Sequence, residues 1–365
     1  MSSNPKLLLV RVHEIRYMFY FMYSDQQQVV RIVTLKFKII AKTLENCMLK
    51  MIIYRCKNKR KFLEAKLNMN EKFKSGFVAI IGNPSVGKST LINSIIGEKI
   101  AITSNKPQTT RNAIKGILTN EDYQIIFLDT PGVNKTHTKL AKAMDKSINE
   151  AISGTDVVIA MVDLTRRSNT DLFLGKLNKV KCPVILLLNK VDAIRDKQDI
   201  LSIISEYNKL YKFDEIIPIS AYSKEDIENV IEAVVKRLPY GPQYYPEDMI
   251  TDSPEKIMVA EIVREKALDL LSEEIPHGIA VEVEKMKKRI NKEIIDISVN
   301  IYCEKESHKP IIIGKGGKML KEIGTRARND IEKFLDMKVF LEVWVKVRKD
   351  WRDDENELRK LHFME

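Results

Sequence analysis

The stretch Gly82-Asn83-Pro84-Ser85-Val86-Gly87-Lys88-Ser89 follows an apolar run, 77–81, and has the pattern G-x-x-x-x-G-K-S. Between a buried strand and a helix, this pattern is typical of a phosphate-binding loop. Its glycines let backbone N–H groups surround a β-phosphate, and the helix N-terminus adds partial positive charge. Lys88 is expected to reach the β- and γ-phosphates, and the Ser89 hydroxyl to bind Mg²⁺. The stretch therefore predicts a nucleotide site.

Charge and cysteine content limit the classes of protein that fit this 365-residue chain. The formal net charge is +11, but residues 1–68 hold 14 Lys or Arg and 4 Asp or Glu, which leaves only +1 for the remainder. Overall basicity is thus no argument for nucleic-acid binding, and a basic surface must be sought locally. Four scattered cysteines without C-x-x-C spacing indicate a reducing compartment, with neither a zinc site nor a disulfide framework.

Residues 1–68 lack the pattern of a folded domain. Their apolar run 17–23 is shorter than the about 20 residues that a membrane span needs. Two interpretations stay open: an organellar transit segment, which the basic composition favours, or an upstream extension before a natural start at Met69. We favour the extension and expect this segment to lie outside the fold.

Alternating strands and helices follow the loop, and they predict a doubly wound, mostly parallel α/β sheet over residues 73–239. The predicted strands are 77–81, 124–128, 157–162, 184–188 and 215–219, and the predicted helices are 89–96, 139–153, 170–179, 199–209 and 224–238. Ligands of such sheets bind at the carboxyl ends of the strands. The remaining polar motifs lie at those ends.

Two segments point to a γ-phosphate. Asp129-Thr130-Pro131-Gly132 follows the second predicted strand, where the aspartate can hold Mg²⁺ and the Gly132 N–H can contact the phosphate. The polar loop 105–111 precedes this strand and contains Gln108, Thr109, Thr110 and Arg111. A threonine there can bind Mg²⁺ only while the γ-phosphate is present, which predicts a switch loop.

Two further motifs indicate guanine. Asn189-Lys190-Val191-Asp192 follows the fourth predicted strand. Asp192 can accept hydrogen bonds from N1–H and N2–H of guanine, donors that adenine lacks. Asn189 is expected to join this loop to the phosphate loop, and the Lys190 stem to cover the base. Ser220-Ala221 follows the fifth predicted strand and can supply an N–H to guanine O6.

Residues 240–365 have the pattern of a smaller α+β domain. The Pro- and Gly-containing segment 240–253 predicts a linker, and 351–365 a C-terminal tail. Between them the predicted order is helix 254–274, strands 279–283 and 294–302, a short helix, the turn Gly314-Lys315-Gly316-Gly317, a helix to 335 and strand 339–347. A G-x-x-G turn between two helices in this order is typical of a KH domain, here 254–350.

Local positive charge surrounds this turn. The residues expected to contact RNA phosphates are Ile313, Gly314, Lys315, Gly316, Gly317, Lys318 and Lys321, with Arg326 and Arg328 nearby. By contrast, we interpret the run 285–289 as a solvated loop and Trp344 as a core residue of the last strand.

The phosphate loop, the Pro107-Gln108-Thr109-Thr110-Arg111 segment, Asp129 to Gly132 and the C-terminal residues together resemble the Era-type GTPases, which are ribosome-assembly factors. The resemblance covers about residues 70–365. It implies GTP or GDP and Mg²⁺ as cofactors, and the 3′ end of small-subunit ribosomal RNA as partner. It also implies Thr110 rather than Thr109 as the switch threonine, a monomer, and a cytoplasmic location with peripheral membrane contact; a transit segment would instead imply an organellar matrix.

Two positions bear on hydrolysis. Val133 stands where Ras-like GTPases place a glutamine, so the resemblance implies slow intrinsic hydrolysis. Ser85 stands where Era-like proteins usually have a potassium-binding asparagine, which puts potassium activation in doubt. Two alternatives stay open: an RNA-binding module whose G domain is a nucleotide sensor with little hydrolysis, and a translation-factor GTPase that makes no KH contact.

Overall fold

The structure is a computed structural model, and it describes residues 72–364 apart from 105, 107–108, 112, 134–137, 167–169, 179 and 291. Residues 1–68, which we predict to lie outside the fold, are outside the described residues, and so is Gln108 of the predicted switch loop.

The larger sheet has six strands in the order β2-β3-β1-β4-β5-β6. They are β1 (Lys74–Gly82), β2 (Ile114–Thr119), β3 (Tyr123–Asp129), β4 (Val157–Asp163), β5 (Val184–Asn189) and β6 (Glu215–Ile219). β2 runs antiparallel to β3, and the other pairings are parallel. The five predicted strands are confirmed within three residues at each end, but β2 was not predicted.

Helices cover both faces of this sheet, as the doubly wound pattern requires. They are α1 (Lys88–Ile96), α2 (Lys139–Ser153), α3 (Thr170–Leu177), α4 (Lys197–Leu210) and α5 (Lys224–Arg237). Side-chain caps begin three of them: Thr138 accepts from the Ala141 N–H, Asp196 from the Gln198 N–H and Ser223 from the Asp226 N–H. Apolar cores fill both sides of the sheet, because its central strands are buried throughout.

The smaller sheet, β7-β8-β9, has helices packed on one face. In chain order the elements are α6 (Glu255–Leu270), β7 (Ala280–Lys288), β8 (Ile294–Cys303), α7 (His308–Ile313), α8 (Lys318–Leu335), β9 (Lys338–Val347) and α9 (Glu355–Lys360). β7 and β8 are antiparallel, and β8 and β9 are parallel. The predicted order of elements is confirmed, although α6 ends at Leu270, before 274, and a 3-10 turn with Pro276 follows.

The basic run 285–289 was predicted as a loop, and this is wrong, since its first four residues belong to β7. Met286 packs against the core of the smaller sheet, whereas Lys285 and Lys287 are exposed. The alternation of a strand therefore places the charges on the solvent side, which is why the composition resembles that of a solvated loop.

The segment 240–253, predicted as a linker, is held against the larger sheet. The buried Gln124 side chain of β3 accepts from the Tyr244 and Tyr245 N–H groups at 2.8 and 2.9 Å and donates to the Tyr245 carbonyl at 2.9 Å. The Ile117 N–H of β2 donates to the Ile250 carbonyl at 2.8 Å. These bonds restrict the path of the chain between the two sheets.

The two tryptophans have opposite environments. Trp344 was predicted to lie in the core, but it is 58% exposed on the outer side of β9, so that prediction is wrong. Trp351, in the predicted tail, is fully buried, and its Nε1–H donates to the Gly278 carbonyl at 3.0 Å. It belongs to an apolar cluster that includes Leu140 and Met144 of α2 together with residues of β7 and β8. The C-terminal residues therefore pack against elements of both domains.

We expect Trp351→Ala to lower the free energy of unfolding of the full chain by about 3–5 kcal/mol, because it empties a closed apolar cluster. Trp344→Ala is the matched control and should change it by no more than about 0.5 kcal/mol. Urea denaturation followed by far-UV circular dichroism measures both. Equal losses in the two variants would contradict the placement of these side chains.

Candidate functional site

The phosphate loop lies between β1 and α1 and is closely surrounded. A Cβ on Gly82 would lie 2.3 Å from the Met161 carbonyl oxygen, and one on Gly87 would lie 2.4 Å from Asn189 Nδ2. Gly87 also has φ +103°, a conformation that other residues rarely adopt. Both glycines of the motif are therefore required by the packing of the loop.

Lys88 lies at the base of this loop with its side chain buried. Its Nζ donates to the carbonyls of Gly82 at 3.3 Å and Asn83 at 3.2 Å. Burial lowers the pKa of Lys88 to about 8, and attraction to Asp129 opposes that shift. A bound phosphate would favour the charged form of this side chain.

Three oxygen ligands converge beside Lys88, namely the side chains of Ser89, Thr110 and Asp129. Ser89 Oγ donates to Asp129 Oδ2 at 2.7 Å, and Thr110 Oγ1 lies 3.0 Å from Ser89 Oγ and 3.2 Å from Asp129 Oδ2. Burial raises the pKa of the Asp129 carboxyl, whose Oδ1 has no hydrogen-bond partner among the described residues. Hydroxyl and carboxylate oxygens with an unpaired buried lone pair fit Mg²⁺.

The two candidate threonines of the switch segment have different partners. Thr109 Oγ1 donates to the Lys106 carbonyl at 2.6 Å, so its hydroxyl bonds within its own loop. Thr110 is buried and meets Asp129 instead. The structure thus brings Thr110, and not Thr109, into the oxygen cluster.

The segment after β3 packs tightly on the phosphate loop. A Cβ on Gly132 would lie 2.8 Å from both Cα and N of Pro84. Thr130 Oγ1 donates to the Ile80 carbonyl at 2.7 Å, so this predicted site residue supports the backbone. Val133 is buried and its N–H donates to the Gly82 carbonyl at 3.2 Å, so it offers no polar atom to a water nucleophile.

The predicted base-binding residues meet at the ends of β5 and β6. Asn189 Nδ2 donates to the Val86 carbonyl at 2.8 Å, and Asn189 Oδ1 accepts from the Ala221 N–H at 3.0 Å. Lys190 has φ +68°, and its Nζ pairs with Asp163 Oδ2 at 2.6 Å. Asp192 is exposed in the 3-10 turn Val191–Ala193.

The predicted donors to guanine O6 are occupied. The Ala221 N–H bonds to Asn189, and the Ser220 N–H donates to Asp226 Oδ2 at 2.8 Å. Both amides thus have partners within the protein in this structure, and the contact of this loop with guanine O6 stays a prediction. A local motif could not reveal these bonds, because Asn189 and Asp226 reach the two amides only in the tertiary fold.

A cavity of about 610 Å³ opens at the phosphate loop. Its lining includes Lys88, Ser89, Thr110, Gly132 and Lys190 of the predicted site. It also includes Tyr222 and, from α6, Asp269, which sequence reasoning missed. Asp192, Ser220 and Ala221 are not among the described lining residues. Asp269 could not be found from a local motif, since it lies about 180 residues from the loop.

The G-x-x-G turn joins α7 and α8, with Ile313 as the last residue of α7 and Lys318 as the first of α8. Gly314, Gly316 and Gly317 all have positive φ, between +60° and +75°. Cβ atoms on Gly316 and Gly317 would meet nothing within 4 Å, so the backbone there is open to an approaching chain. Lys315, Lys318 and Lys321 are exposed around the turn.

A groove of about 420 Å³ continues from this turn between α8 and β9. Its described lining residues are Gly317, Leu320, Lys321, Gly324, Thr325, Arg328, Phe340, Leu341 and Val343. Gly324 lines this groove without a side chain, and a Cβ there would make an ordinary contact with Val343 Cγ2, at 3.7 Å. An isolated glycine inside an amphipathic helix was the sequence signal for this groove, and it was missed.

Comparison with known families and sequences agrees with this geometry. A family model described as "50S ribosome-binding GTPase" matches residues 77–190, and a KH-domain model matches residues 274–352. GTPase Era of Clostridium kluyveri is 51% identical over 292 residues, which are 80% of this chain and 99% of that protein. GTPase Era of Alkaliphilus metalliredigens is 52% identical over 294 residues, with the same two shares.

Solved structures give the same result. A crystal structure of Era in complex with MgGDPNP and nucleotides 1506–1542 of 16S ribosomal RNA is 39% identical, covers 80% of this chain and 100% of its own, and superposes with a TM-score of 0.78. A variant of Aquifex aeolicus Era bound to GDP and AlF4⁻ has a TM-score of 0.77 with the same identity and coverage. The predicted fold class, a P-loop GTPase domain followed by a KH domain, is confirmed, and the chain belongs to the Era family of GTPases.

Proposed function

We propose that this GTPase is a nucleotide-driven switch that binds the 3′ end of small-subunit ribosomal RNA through its KH domain and assists assembly of that subunit. One observation carries the proposal: Thr110 of the switch segment meets Ser89 and Asp129 at the phosphate loop. A threonine in this position can respond to the γ-phosphate and to its metal ion.

The proposed nucleotide contacts are the predicted ones. They comprise Gly82 to Ser89, Asp129 to Val133, Asn189 to Asp192, and Ser220 with Ala221. Ser89, Thr110 and Asp129 would hold Mg²⁺, which supplies charge neutralisation at the β- and γ-phosphates. Lys88 would pair with the same phosphates and Asp192 with the guanine edge.

For the RNA, the solved Era structure with a 16S ribosomal RNA segment supports the partner, and the glycine turn with its groove supports the surface. Ile313, Gly314, Lys315, Gly316, Gly317, Lys318 and Lys321 are the proposed contacts. Phosphates would approach the open backbone of the turn, while bases would enter the apolar groove beside Gly324.

Hydrolysis in this chain is proposed to be slow, because the buried Val133 cannot orient water. Ser85, in place of the usual potassium-binding asparagine, argues against potassium activation. The alternative of a nucleotide sensor with little hydrolysis would use the same site, and single-turnover hydrolysis would distinguish the two.

A monomeric state and a cytoplasmic location with peripheral membrane contact are further proposals, made from the family resemblance. Within the described part of the chain, no helix is long and apolar enough to cross a membrane. The exposed lysines of β7, Lys285 and Lys287, offer one surface for such contact.

RNA affinity tests the switch directly. A labelled oligonucleotide with the 3′-terminal sequence of small-subunit ribosomal RNA should bind the full chain at least about fivefold more tightly with a non-hydrolysable GTP analogue than with GDP. Gly316→Asp should abolish binding, since its carboxylate would repel the phosphates. Gly324→Leu should weaken RNA binding about tenfold because its side chain fills the groove, whereas Gly324→Ala should bind RNA as the unaltered protein does. Equal affinity in both nucleotide states would refute the coupled switch.

Base specificity tests the role of Asp192. With Asp192→Asn, the side chain offers one acceptor and one donor, which matches N1–H and O2 of xanthine rather than the two donors of guanine. We expect GDP affinity to fall by 10²-fold or more and xanthosine diphosphate to bind better than GDP. Competition against a fluorescent nucleotide measures this, and an unchanged preference for GDP would exclude Asp192 from base recognition.

The contact between Gly132 and Pro84 gives a third prediction. Gly132→Ala should weaken nucleotide binding about tenfold, because the new Cβ displaces the phosphate loop. Gly175→Ala is the control, since a Cβ at that position of α3 meets nothing within 4 Å. Isothermal titration with GDP measures both variants, and unaltered affinity in Gly132→Ala would show that the loop accommodates the extra atom.

A further inference from the structure

Helix α6, which packs into the core of the KH sheet, contacts the switch segment of the G domain through Arg264. The Arg264 side chain is 1% exposed, and its Nη2–H donates to the Thr109 carbonyl. Its Nε and Nη2 also pair with the Glu261 carboxylate at 2.8 and 2.6 Å. A planar guanidinium can serve both partners at once because its donors form a fixed fork.

The carbonyl that Arg264 holds belongs to the peptide group that links Thr109 to Thr110. A peptide group is planar, so fixing its oxygen also fixes the direction in which the chain enters Thr110. The Thr110 hydroxyl then lies 3.0 Å from Ser89 Oγ and 3.2 Å from Asp129 Oδ2. Arg264 thus bonds to the peptide group that immediately precedes the proposed metal ligand.

Two more contacts from α6 hold the same segment upstream. Glu265, which is 1% exposed, accepts from the Thr103 N–H at 2.9 Å. Lys106 Nζ donates to the carbonyls of Leu268 and Leu271, at the C-terminal end of the helix. Carbonyls at a helix end lack intrahelical partners, which makes them suitable acceptors for a lysine. The segment is therefore bound to α6 at several points.

We propose that Arg264 is a positioning residue for the switch: by holding the 109–110 peptide, it places Thr110 so that the protein prefers triphosphate over diphosphate. The proposal rests on the role of Thr110 proposed above. Because linkage is reciprocal, a triphosphate that engages Thr110 would also strengthen the contact between the switch segment and α6. The KH side of the molecule would then share in determining nucleotide preference.

The test compares the affinities of full-length variants for GDP and for a non-hydrolysable GTP analogue, each with Mg²⁺ and with excess chelator. Arg264→Ala should weaken binding of the analogue on the order of tenfold in Mg²⁺ and leave GDP affinity within about twofold. With chelator, the difference between Arg264→Ala and wild type should vanish. Lys256→Ala, an exposed position on the same helix, is the control and should bind both nucleotides as wild type does.

Two further variants distinguish positioning of Thr110 by Arg264 from a purely structural role of Arg264 in the interface. Arg264→Lys keeps a charge beside Glu261 but lacks the fork, so it should fold and still lose part of the preference for the analogue. The double variant Arg264→Ala with Thr110→Ala should bind the analogue no more weakly than Thr110→Ala alone, since both changes act through one contact.

Each other outcome overturns the proposal. Equal losses of GDP and analogue affinity would mean that Arg264 only supports the structure. Additive losses in the double variant would mean that it acts without Thr110. An unchanged preference in Arg264→Ala, with a reduced one in Thr110→Ala, would refute this inference alone. An unchanged preference in Thr110→Ala would also refute the proposed role of Thr110 at the metal.

Discussion

The side-chain amide of Asn189 is the contact on which the geometry of the nucleotide site depends. It donates to the Val86 carbonyl and accepts from the Ala221 N–H, and it is 2% exposed. One planar group thereby fixes the loops that follow β1, β5 and β6 relative to one another. An apolar side chain of the same size would leave two buried backbone groups unpaired, which costs about 1–3 kcal/mol for each. The site is therefore organised by bonds within the protein.

The oxygen cluster at Thr110 is where this organised site meets the KH side. Both residues next to Thr110 in the sequence bond to the second domain. The Thr109 carbonyl accepts from Arg264. The Arg111 guanidinium donates to the Ile279 and His277 carbonyls at 2.5 and 3.1 Å. At the start of α2, the Lys139 N–H donates to Asp353 Oδ1 at 2.9 Å in the C-terminal segment. The switch segment and the start of α2 thus both contact the second domain.

The sequence predicted the elements whose pattern is local, and failed where tertiary contacts decide. Central strands such as 184–188 are continuous apolar runs and were placed well, whereas β2 contains Lys115 and Gly116 and pairs only at the edge of the sheet. Trp344 and Trp351 show the same limit. Both have the composition of core residues, but only the second finds a partner surface, on α2, more than 200 residues away in sequence. The hydrogen bond from the Ala221 N–H to Asn189 could likewise not be predicted from a local motif.

The interface itself explains why nucleotide state and domain position can be linked by discrete states. At this interface, buried arginines bond to individual carbonyls. A small displacement of the switch segment would keep the Arg264–Glu261 pair, since both residues lie on α6, but it would separate Arg264 from the Thr109 carbonyl. A buried polar group left unpaired costs about 1–3 kcal/mol. Movement of the switch segment must therefore either carry α6 with it or break the contact altogether. Such an all-or-none choice is the kind of two-state element through which coupling between distant sites acts.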